Sequence, residues 1–111
     1  ELHVIDPRVL DKHVDTYRKG KRTLTDLCRH YDVRLDGAHS ADGDAIATCR
    51  VAWRLGSRYP RLAELAVPEL HKAQVEWHAE WAVDFQAHLR KKDSAAVIDG
   101  HWPLRPVGGE A

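Results

Sequence analysis

Two residues in this chain have the types and spacing that chemistry asks for. His39 precedes Ser40-Ala41-Asp42-Gly43-Asp44 and the apolar-periodic stretch that follows. Five helical residues at 100° each would set His39 and Asp44 about 140° apart, on different faces of a continuous helix. The pair therefore works together only if His39 lies in the lead-in and Asp44 on the first turn. The partial positive charge of a helix N-terminus favours neutral imidazole there, the form that a general base for water needs. A carboxylate one turn in is a hard oxygen ligand for a divalent cation. The same spacing also fits a surface histidine ahead of a capped helix, with Asp42 and Asp44 serving only its dipole.

Other chemistry-bearing residues are more scattered. Arg18, Lys19, Lys21 and Arg22 form the densest basic patch, around Gly20, with Arg8 and Lys12 upstream. Such a patch suits sequence-independent contact with phosphates, and equally a solvated loop between helices. His71 and His78 lie two turns apart, roughly 10 Å along a helix, too far to share an ion, and are expected in solvent. Asp6 before Pro7 reads as a helix cap rather than a metal ligand. Cys28 and Cys49 lack CxxC spacing and are expected to be buried free thiols, which fits a reducing cytoplasm.

The elements that must carry these residues follow from pattern. A short apolar run over residues 2–5 predicts a strand, ended by Asp6-Pro7. Leu10, Val14 and Tyr17 then mark one face of a helix. Thr23 caps a second helix with Leu24, Leu27, Cys28 and Tyr31 on one side. Ser40 caps a third, whose expected stripe is Ala41, Ala45, Ile46, Cys49, Ala52 and Trp53, with Leu55 beside it, ended by Gly56, Ser57 and Pro60. Residues 69–92 give the longest periodic stretch, about 36 Å of helix, with Leu70, Ala73, Trp77, Trp81, Phe85 and Leu89 as its stripe. That stripe is expected to be core or a docking face, with a base-stacking platform as the other reading. A strand leading into a helix belongs to α/β layering, yet three to five helices and few short strands are too little sheet for a complete domain.

The 111 residues suffice for one core, and the 17 basic and 17 acidic residues cancel. No global field drives the chain to nucleic acid or membrane, and no apolar run approaches the ~18 residues of a bilayer span. The chain contains no methionine and opens on an apolar run, so it is expected to be part of a longer protein.

From Val4-Ile5-Asp6, through Lys21-Arg22-Thr23-Leu24-Thr25-Asp26-Leu27-Cys28 and Tyr31, to Gly37-Ala38-His39 and Asp44-Ala45, the sequence resembles the DEDDh (DnaQ-like) 3′–5′ exonucleases. That family includes the proofreading subunit of the bacterial replicative polymerase. The resemblance covers residues 3–57, about half of the chain, in order and spacing. It implies the C-terminal half of an RNase H-like fold, with residues 1–58 in the exonuclease domain, 59–92 a helical extension and 93–111 a tail. It implies that His39 is the general base and Asp44 the last metal-binding acid, within the family's H-x4-D motif. Two divalent cations, Mg2+ or Mn2+, are the implied cofactors. The 3′ end of single-stranded DNA or RNA is the implied substrate, and a polymerase subunit is a further partner. The family's first two motifs should precede Val4, so one carboxylate is left to do the work of four, and the chain alone is expected to be inactive. The competing expectation is a non-catalytic helical module that binds nucleic acid or protein through the basic loop or the tryptophan stripe.

Overall fold

Asp6 caps a helix as foreseen: its side chain accepts the Arg8 backbone N–H at 3.0 Å, and Pro7 takes the first helical turn. The structure, a computed structural model, describes residues 3–35, 37 and 40–103. Five helices follow in order: α1 (Pro7–Val14), α2 (Leu24–His30), α3 (Ala41–Arg58), α4 (Pro60–Ala63) and α5 (Val67–Leu89). The dominance of helix matches the expectation. The short strand does not, because no strand forms among the described residues.

A side chain stands where a strand partner was expected. The Gln74 amide of α5 donates to the Val4 carbonyl at 2.9 Å and accepts the Asp6 N–H at 2.7 Å. Carbonyl i and amide i+2 are the pair that one residue of a parallel neighbour would satisfy. The Val4 N–H goes to His71 Nδ1 at 3.0 Å. Residues 4–6 thus have extended hydrogen bonding without a sheet, with the Val4 N–H, the Val4 carbonyl and the Asp6 N–H all paired.

Capping sets the other helix starts. Thr23 and Asp26 form a reciprocal capping box at α2, each side chain accepting the other's backbone N–H at 3.2 Å. The helix ends through Asp32, held at φ 56°, and a Val33 N–H bond to the Cys28 carbonyl at 2.7 Å. That left-handed residue with a six-to-one hydrogen bond turns Val33 back into the core.

The core is a single cluster. It joins Leu10 of α1, Leu27, Cys28 and Tyr31 from α2 and its cap, and Val33. Ala47, Val51 and Leu55 of α3, Leu62 of α4 and Leu70 of α5 complete it. Helix α1 packs on both α3 and α5, and α3 on α2 and α4. Three expected faces need correction. Tyr17 lies beyond the end of α1 and is 93% exposed, so only Leu10 and Val14 hold the predicted side. In α3 the buried seam is Ala47, Val51 and Leu55, while Ile46 and Cys49 are exposed and Trp53 is 71% exposed. In α5 the buried seam is Leu70, Gln74, His78 and Ala82, one position around from the expected stripe. Helices α3 and α5 carry apolar residues on more than one side, and periodicity alone did not say which side meets α1 and the rest of the core.

Candidate functional site

Ser40 fixes the start of α3. Its hydroxyl oxygen accepts the Gly43 N–H at 3.0 Å and its proton goes to the Gly37 carbonyl at 2.6 Å. The following turn is thereby locked, and Asp44 sits half-buried on it, with its own N–H on the Ser40 carbonyl at 3.0 Å. Thr48 Oγ1 donates to the Asp44 carbonyl at 2.8 Å, one turn further along. The carboxylate side chains of Asp42 and Asp44 both lie in the first turn, where the helix dipole favours them. The Cys28 thiol is pushed above its ordinary value, first by burial and then by the charge of Asp44. Cys28 is thus a poor nucleophile and belongs to the core. His39 lies outside the described residues, so its geometry toward Asp44 is not part of this site.

The predicted basic patch divides in two. Arg18 and Arg22 turn inward onto Asp11, which α1 buries completely. Arg18 meets the two Asp11 oxygens at 2.9 and 2.7 Å, in the fork-to-fork arrangement that suits guanidinium and carboxylate. Tyr31 donates its hydroxyl proton to Asp11 at 2.5 Å, and Arg22 adds a further bond to Oδ2. The other Arg22 nitrogen gathers the carbonyls of Asp15, Thr16 and Arg18 at 2.7, 3.2 and 3.1 Å. Burial would raise the Asp11 carboxyl, but the hydrogen bonds from Arg18, Tyr31 and Arg22 outweigh it and hold it below the usual range. Burial first, and then the bond to Asp11, pushes the Tyr31 hydroxyl well above its ordinary value. The two arginines therefore tie loop to helix, while Lys19 and Lys21 remain exposed.

This buried knot was missing from the sequence reading. The signal for it was Asp11 itself, an acid directly after Leu10 on the apolar side of α1. A charge at such a position needs partners, and Arg18, Arg22 and Tyr31 are the ones that the turn brings back.

The histidines also depart from expectation. His78 is buried, with Nε2 at 3.0 Å from the Asp99 carbonyl, and His71 accepts from Val4. Both rings join distant segments to α5 instead of facing solvent. Asp6 acts as a cap, and its second oxygen accepts the Trp102 indole N–H at 3.0 Å. Of the tryptophan stripe, Trp77 stacks on His13 at 3.8 Å beside the core.

Among the described residues no three His, Cys, Asp or Glu side chains gather closely enough to hold a metal ion. Asp44 offers one carboxylate. A pair of hard divalent cations needs a full shell of oxygen ligands, so the donors described here do not fit such a pair. Among the described residues, no helix is long and apolar enough to cross a membrane. No family model, curated protein or solved structure matches the chain.

Proposed function

We propose that this chain carries one corner of a metal-dependent 3′–5′ exonuclease of the DEDDh type and RNase H-like fold. Its substrate would be the 3′ end of single-stranded nucleic acid, DNA ahead of RNA. The observation that carries the reading is the placement of Asp44: half-buried, on the first turn of a helix whose start Ser40 locks. A residue held in this way has a fixed backbone position, and half-burial leaves it access to solvent. The H-x4-D spacing supports His39 as its neighbour in the lead-in and as the group that takes a proton from water. General-base catalysis by such a histidine contributes roughly 10²–10⁴ in rate.

The reading requires more carboxylates than the described residues bring together, so the remaining metal ligands would come from a further segment. In the intact enzyme the cations would be Mg2+ or Mn2+, with Asp44 as one of their oxygen ligands. The chain alone should not degrade DNA. The test is nucleotide release from single strands by the product of the complete reading frame, with Asp44→Asn and His39→Ala compared with the parent. Each substitution should remove most of the activity; unchanged rates would mean that neither residue has the assigned role.

A further inference from the structure

The basic loop faces the aromatic end of α5. Arg8, Lys12, Lys21, Gly20, Trp81 and Phe85 line a groove of about 510 Å3, with the hydroxyls of Thr16 and Thr23 beside them. Three features set it apart from an ordinary solvated surface. The first is charge. The residues that line it include no carboxylate, in a chain whose acids and bases cancel overall. Arg18 and Arg22 belong to its wall but are turned to Asp11, so the exposed Arg8 and Lys21 supply the charge that faces solvent.

The second feature is aromatic surface next to that charge. Trp81 and Phe85 stack at 5.1 Å with 17° between their planes, and Phe85 is 37% exposed. The Lys12 ammonium sits 3.6 Å from the centre of the Trp81 ring, which holds a cation inside the groove. The third is access. Gly20, at φ 106°, has nothing within 4 Å of where a Cβ would point, so a ligand can approach the loop backbone closely.

We propose that this groove binds single-stranded nucleic acid, with a base stacking on Phe85, which Trp81 backs, and backbone phosphates meeting Arg8 and Lys21. Cations that track a backbone beside aromatic rings that take base faces are the means by which unpaired strands are held without sequence preference. A duplex hides its base faces, and an acidic peptide would use the cations but leave the rings without stacking partners. The inference goes beyond the nuclease reading, since binding here needs neither a metal nor Asp44.

The test is fluorescence anisotropy of a labelled oligothymidylate with the 111-residue chain, in EDTA and across a salt series. The oligonucleotide should bind at low salt and weaken steeply as salt rises. Arg8→Ala and Lys21→Ala should each flatten the log–log salt slope by about 0.7. Phe85→Ala should weaken binding by roughly 5- to 150-fold at an unchanged slope, and Phe85→Trp should restore it. Lys21 lies in an exposed loop, so Lys21→Ala tests the idea even if a helix variant loses its fold. Lack of binding at low salt would overturn the proposal, and so would a salt slope that neither basic substitution changes. Equal affinity for a duplex, or displacement by polyglutamate at matched charge, would also overturn it. Binding in EDTA without hydrolysis by the complete protein would leave the groove standing and sink the nuclease reading. Hydrolysis without EDTA-resistant binding would do the reverse.

Discussion

Asp11 and Asp44 are both helix aspartates, and their surroundings give them opposite tasks. Asp11 is wholly buried in α1, and Arg18, Arg22 and Tyr31 all direct donors at its carboxylate. Asp44 is half-buried on the first turn of α3, behind a serine cap. A buried carboxylate saturated by arginine and tyrosine is architecture: its oxygens are occupied by the fold, and exchanging them would expose an unpaired charge. A carboxylate at a half-buried helix start keeps the access to solvent that an incoming ligand requires. The comparison also explains why the basic loop is not uniform. Its arginines complete the knot, and its lysines face outward.

The largest effect should come from breaking the knot. Asp11→Ala leaves two guanidiniums and a phenol without their shared partner and should cost about 3–5 kcal/mol in urea unfolding at neutral pH. Asp44→Ala, at a half-buried position on a first turn, should cost less. Equal losses would erase the distinction between the two sites.

Acid should separate them as well. The Asp11 carboxyl is lower in the folded protein than in the unfolded chain. Its contribution to stability is therefore complete above the unfolded value, near 3.9, and is lost as pH falls through the folded value. Thermal unfolding as pH falls below about 4 should show that loss in the parent, with a shallower slope in Asp11→Asn. An identical slope in the two proteins would remove Asp11 from the acid response.

Smaller effects probe the scaffolds around each aspartate. Gln74→Ala strips partners from the Val4 carbonyl and the Asp6 N–H, and should cost about 1–3 kcal/mol. Faster hydrogen exchange at the Asp6 amide would report it directly. Ser40→Ala should cost about 1 kcal/mol through loss of the α3 cap, with fraying at the turn that carries Asp44. If Ser40→Ala leaves stability and amide exchange at Gly43 unchanged, the cap is not what fixes that turn.

The helix starts were readable because capping is local: Asp6-Pro7, Thr23 with Asp26, and Ser40 each act within four residues. The faces of α3 and α5 were harder. Trp53 and Ile46 sit at apolar spacing yet face outward, because Ala47, Val51 and Leu55 form the side that meets the core. Gln74 and His78 look like surface residues in the sequence. They are buried because distant backbone groups, at Val4, Asp6 and Asp99, need a hydrogen-bonding partner there. Long-range pairings of this sort leave no periodic trace. The same limit hid the knot: Asp11 was visible as an acid beside Leu10, but not the turn that returns Arg18 and Arg22 to it. Of the candidate site, the H-x4-D spacing and the Ser40 cap were legible in the sequence, and the groove between Lys21 and Phe85 became visible only when α5 packed along α1.

The most direct test measures stability and 3′-nucleotide release together, in the product of the complete reading frame carrying Asp44→Asn. The account predicts an unfolding midpoint close to that of the parent and loss of nearly all Mg2+-dependent release from single-stranded DNA. Undiminished release by a folded Asp44→Asn protein would contradict it.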